Sequence, residues 1–235
     1  MKMPVSVTST PNRISVKNSV FTIFKRGEEK YSVKKSINVV FVEQASVPSR
    51  AYYDAPYDEK VRSLPVCWST NGRTPDRNVH EPQSEVCMNC TQNIIGSGKG
   101  SSKACKYNWR TAVVLEDCLN KDIFRLTIPP TSIWGKGDVG KRPFKEYLNF
   151  LVGGGLPINK IVTEIRFDLD FPVPKIYFQP VRALTEDEYF GVNRRRSEPE
   201  VANCITLNYE ELRKEDLEKE EQEYKKLARF MGINH

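Results

Sequence analysis

The chain has 235 residues, 39% of them hydrophobic and 10% aromatic, with a formal net charge of +6. This length and apolar content support a real core and argue against wholesale disorder. The charge allows a polyanionic partner without requiring one, and no apolar run approaches the roughly 18 residues of a membrane span.

The first third reads as β-structure. Residues 13–17, 19–24, 31–34 and 37–42 form closely spaced apolar or alternating runs, with a turn over 27–30. Residues 47–65 combine tyrosines, charges and prolines and read as a loop or ragged edge. From Cys67 to Lys106 the chain is rich in Asn, Gly, Pro, Ser and Thr and has little apolar periodicity. So long a loop needs a separate reason to be ordered. Strands are expected again at 109–115 and 123–128. A short helix is expected at 144–152, stopped by Gly153-Gly154-Gly155. A strand over 161–171 should pair with 177–181, and 186–196 reads as a polar connector. Residues 210–228 are densely charged with a thin apolar stripe at Leu212, Leu217, Tyr224, Leu227 and Met231, and read as a solvated helix. The expected organisation is an N-terminal β part (1–65), an inserted segment (66–108), the remaining β structure with a short helix (109–205) and a charged C-terminal helix (206–235).

Met1–Ser6 lacks the apolar stretch of a secretory signal, so a reducing compartment is expected. There, the clustering of four of the six cysteines suggests metal ligation rather than disulfides. Cys87-Met-Asn-Cys90 is a C-x2-C knuckle, with Cys67 before it and Cys105 after it. Together they supply the four soft donors that tetrahedral Zn2+ prefers, and zinc would provide the missing ordering energy. The alternatives are unrelated reduced thiols or a redox pair. His80 is the substitute should Cys67 lie too far away. Cys118 and Cys204 read as small buried hydrophobes.

Between Val86 and Leu115 there is no Asp or Glu. Lys99, Lys103, Lys106 and Arg110 fall there, interleaved with Tyr107 and Trp109, and Arg73 and Arg77 lie just upstream. Aromatic rings beside a basic groove suit unpaired bases: rings stack, charges follow the backbone. Tyr52, Tyr53 and Tyr57 offer a second stacking patch. The same residues also fit a solvated basic loop with Trp109 in the core. Gly96-Ser-Gly-Lys-Gly lacks the full phosphate-loop pattern, so nucleotide hydrolysis is not expected.

The runs Pro65–Pro75, Cys87-x2-Cys90 and Gly96–Lys106, followed by Ile128–Ser132, Tyr147-Leu148 and Val162-Thr163, resemble a family of bacteriophage single-stranded DNA-binding proteins. The resemblance covers roughly residues 10–190. It implies a mainly β, OB-fold-like barrel carrying a zinc-ribbon-like insertion with four cysteine ligands. It also implies sequence-tolerant binding of single-stranded DNA during replication, recombination or repair in the cytoplasm of an infected bacterial host. The family often ends in a strongly acidic tail. Here residues 209–226 mix both signs, which suits a helix that docks better than a free tail. A second expectation is a protein-interaction or transcription cofactor that uses the zinc segment and C-terminal helix to bind replication or transcription proteins. An enzyme is not expected: Asp168 and Asp170 share a strand face, but no other catalytic group joins them.

Overall fold

The computed structural model describes residues 12–54, 64–207 and 209. The expected C-terminal helix and Tyr57 lie outside them. Contacts along the chain divide it into two compact units, Met1–Ser49 with Tyr107–Thr206, and Arg50–Lys106 with Leu207–His235.

The elements in chain order are β1 Arg13–Lys17, β2 Val20–Lys25, β3 Glu28–Lys34, β4 Ser36–Gln44, β5 Ser49–Tyr52, β6 Cys67–Ser69, β7 Lys106–Leu115, β8 Phe124–Ile128, α1 Phe144–Gly153, β9 Ile161–Phe167, β10 Ile176–Ala183, α2 Glu186–Arg194 and α3 Pro199–Ile205. In the first unit eight strands form one curled, half-barrel sheet in the order β10-β9-β4-β7-β8-β1-β2-β3. All neighbours are antiparallel except β1 and β8, which run parallel. The unit is therefore mixed α/β and β-rich.

The central strands are apolar on both sides because both faces of the sheet are covered. Alternation along β4 sends Ile37, Val39 and Phe41 to one core and Val40 and Val42 to the other. Helix α1 closes the first core through Phe144, Tyr147 and Leu151. Helices α2 and α3 close the second through Val192, Val201 and Cys204. Burying three such side chains contributes on the order of 5 kcal/mol, which is why short, polar helices suffice.

The hairpins at the start are tight. Asn18-Ser19 and Arg26-Gly27 both have positive φ, the backbone that matches strand twist in two-residue turns. The second turn thus comes earlier than 27–30, and Glu28 already lies on β3.

The structure corrects two further expectations. Strand β9 stops at Phe167, so Asp168 and Asp170 lie on a turn, where the Asp168 carboxylate accepts from the Tyr177 hydroxyl (3.0 Å) and pairs with Lys175 (3.5 Å). The stretch read as a polar connector is α2, started by a capping box between Thr185 and Glu188. Only Val192 of α2 is fully buried, so its apolar stripe was too thin to see in the sequence. Among the described residues no helix is long and apolar enough to cross a membrane.

Candidate metal centre and basic surface

The second unit is built around the cysteine-bearing segment. Strands β5 and β6 pair antiparallel, with Arg50 opposite Ser69, Ala51 opposite Trp68 and Tyr52 opposite Cys67. Ala51, Cys67, Trp68, Val79 and Tyr209 form a small core, in which the Trp68 and Tyr209 rings meet edge-on at 5.5 Å.

The rest of the segment is ordered by local hydrogen bonds. The Asn71 side-chain oxygen accepts from the backbone of Arg73 (2.7 Å) and Thr74 (3.0 Å), an Asx-type turn. The Arg73 carbonyl then accepts from the Cys87 N–H at 2.8 Å. Cys87–Asn89 and Thr91–Asn93 form consecutive 3-10 turns, and the Gln92 carbonyl accepts from the Cys105 N–H at 2.8 Å. Between them the chain doubles back, with Gly96 and Gly98 both donating to the Ser102 carbonyl (3.1 and 2.9 Å). At Gly98 a Cβ would lie 2.8 Å from the Ser102 hydroxyl and 2.9 Å from the Lys103 carbonyl, so only glycine fits.

These bonds order the stretches that carry Cys87, Cys90 and Cys105, while β6 carries Cys67. All four are free thiols; Cys67, Cys87 and Cys90 are buried and Cys105 half-buried. Burial pushes the Cys105 thiol up to about 11; the Arg50 guanidinium pulls the other way, and Cys87, Cys90 and Cys67 push it further up. Burial likewise raises Cys67, opposed by the Gln83 backbone N–H and reinforced by Cys87 and Cys90. The Cys105 thiol thus feels the other three, and the Cys67 thiol feels the knuckle pair. His80 is exposed on the loop. Among the described residues, no group of three or more His, Cys, Asp or Glu side chains is placed as a ready-made metal shell.

Arg50 had no role in the sequence reading. Its side chain is 3% exposed, a burial that a cation tolerates only beside compensating charge or hydrogen bonds. No motif marks it; what singles it out is that its buried cation acts on the Cys105 thiol.

The proposed nucleic-acid contacts divide between the two units. In the second, Arg73, Arg77, Lys99, Lys103 and Tyr53 are at least partly exposed and Tyr52 and Lys106 half-buried. Lys103 donates to the Asn93 side-chain oxygen at 3.1 Å, and the Tyr53 and Tyr209 hydroxyls lie 3.3 Å apart. In the first unit, Arg110 is half-buried and donates to the Thr206 carbonyl at 2.7 Å.

Trp109 is 7% exposed. It packs edge-on against Phe144 at 5.1 Å and donates its indole N–H to the Ala45 carbonyl at 2.7 Å. It is a core residue and has no free ring face for a base. Tyr107 is half-buried, with Trp134 edge-on at 4.6 Å. Cys204 is buried on α3, and burial pushes its thiol up to about 11, the state of an unreactive cysteine. Cys118 is half-buried against the first core. No family model, no curated protein and no solved structure matches this chain.

Proposed function

We propose that the chain is a non-enzymatic, sequence-tolerant single-stranded DNA-binding protein of phage replication, recombination or repair, with a structural zinc site at Cys67, Cys87, Cys90 and Cys105. The observation that carries this reading is the second unit's turn at residues 96–106. It is largely exposed, glycine-bent and free of acidic residues, and it presents Lys99 and Lys103 at the surface beside the cysteines. Backbone amides and lysines at such turns contact phosphates without reading sequence.

The donor set fits zinc. A tetrahedral site needs four sulfurs at about 2.3 Å from one point, and Cys67, Cys87, Cys90 and Cys105 would supply them. Bound Zn2+ would hold them as thiolates, and the buried Arg50 cation would offset the surplus negative charge. The ion would close a segment whose own core is small. An OB-type barrel is the finer form of the eight-stranded curled sheet in this reading, enlarged by the β9–β10 hairpin and by helices on both faces.

A second reading, a protein-binding cofactor, is favoured by one observation. Val86, Met88, Ile94 and Ile95 are all exposed on the cysteine segment, more apolar surface than phosphate contacts require. Metal analysis and binding assays on nucleic-acid-free protein test both readings. One zinc per chain, lost in Cys90→Ser, and oligo(dT) affinity that falls at least tenfold in Lys99/Lys103/Lys106→Ala support the first. Unchanged affinity in the triple variant refutes its phosphate-contact surface, and retained binding of a polymerase subunit by that variant supports the second.

A further inference from the structure

We propose that the loop 134–143 of the first unit, together with the first turn of α1, is an additional surface for single-stranded nucleic acid, with Trp134 as its stacking ring and Lys136, Lys141 and Lys145 as its phosphate contacts. This rests on the reading that the chain binds single strands, and it places part of that binding on residues outside the cysteine segment.

Three features carry it. The chain has three tryptophans. Trp68 and Trp109 are 3% and 7% exposed, whereas Trp134 is 40% exposed. The Tyr107 ring meets Trp134 at 4.6 Å and 74°, so Trp134 is braced along its side while part of the ring faces water. A ring held in place loses little freedom when a base stacks on it.

The loop is a built surface. Lys141 N–H donates to the Asp138 carbonyl (3.0 Å), Phe178 N–H to the Arg142 carbonyl (3.0 Å) and Lys145 N–H to the Ile133 carbonyl (3.0 Å). The Arg166 guanidinium donates to the Gly140 carbonyl at 2.9 Å. Gly140 has φ +75°, and a Cβ there would lie 2.8 Å from the Gln179 side chain; at Gly137 it would lie 2.9 Å from the Arg142 Cα. Both glycines are therefore fixed by close approach of neighbouring groups, as at loops that grip phosphates.

The charge is unspent. Lys136, Lys141 and Lys145 are exposed and have no ion pair among the described residues. Asp138 is the only acid between Trp134 and Lys145. Arg142 lies over the exposed Phe150 ring at 4.0 Å, adding a cation on an aromatic face. Val139, 92% exposed at the loop tip, gains nothing from packing within the chain.

The test is tryptophan fluorescence together with anisotropy of labelled oligo(dT), on the full chain over a range of salt. Oligo(dT) should quench the wild-type emission, and Trp134→Phe should lose the quench. Trp134→Ala should weaken binding roughly 5- to 150-fold, the range for one base–aromatic stack. Lys136/Lys141/Lys145→Ala should lower the log–log salt slope by about 2, given ~0.7 per phosphate contact on single strands. If the wild type binds but the triple variant keeps its slope and Trp134→Phe keeps its quench, the loop is not a binding surface and the single-strand reading stands. If the wild type does not bind, the single-strand reading fails and this inference fails with it.

Discussion

Truncating Trp109 to alanine should destabilise the protein without acting through a lost base contact. The ring fills the sheet–α1 interface and touches Phe144, itself fully buried, at 5.1 Å. Removing a buried indole costs about 3–5 kcal/mol through lost transfer energy and the cavity left behind. The Ala45 carbonyl, which accepts the indole N–H at 2.7 Å, also loses its partner, so the upper half of that range is expected. At about 2–4 °C per kcal/mol for a chain of this size, Tm should fall by roughly 8–20 °C. Trp109→Phe keeps an aromatic ring in the core and should cost less. Urea titration followed by circular dichroism measures the difference. A loss under about 1 kcal/mol for Trp109→Ala would refute the placement of this ring in the core, and a selective loss of DNA affinity at unchanged stability would restore it as a platform.

Three other outcomes follow from the same geometry. The buried Tyr147 hydroxyl lies 2.7 Å from Thr163 Oγ1, so Tyr147→Phe should cost about 1–2 kcal/mol in urea unfolding because the Thr163 hydroxyl is left without its partner. Thr185→Ala removes the cap of α2 and should cost about 1 kcal/mol, read as a lower unfolding midpoint. Glu188 is held at about 2, chiefly by the Arg182 guanidinium and also by the Thr185 backbone N–H. Because its folded value lies below the ordinary 4.5, its stabilisation is present above about pH 5 and is lost as pH falls through that window. The pair is partly exposed, so the loss should stay under about 1 kcal/mol. Urea midpoints should converge for wild type and Glu188→Gln near pH 2 and diverge near pH 6.

Most strands were legible because their apolar runs reflect burial directly. The 37–42 run is nearly continuous because β4 is covered on both faces, and 161–167 alternates because β9 follows the sheet's pleat. Helix α1 was legible from its spacing and its glycine stop. Helix α2 was missed because one fully buried valine anchors nine residues, and its signal lies in the Thr185–Glu188 cap. Spacing alone proposes the four cysteines as ligands, whereas Arg50, a buried arginine on a short strand, has no sequence mark. Trp109 and Trp134 show the limit most clearly: both sit beside basic residues in the sequence, and only the sheet's alternation and the Tyr107 contact separate the core ring from the exposed one.

The most direct test of the central claim is anisotropy of a labelled single-stranded oligonucleotide against its matched duplex, at low and physiological salt. The account predicts tight binding that favours the single strand and weakens steeply as salt rises, because phosphate contacts release counterions. No binding to the single strand at low salt, or equal affinity for the duplex, would contradict it.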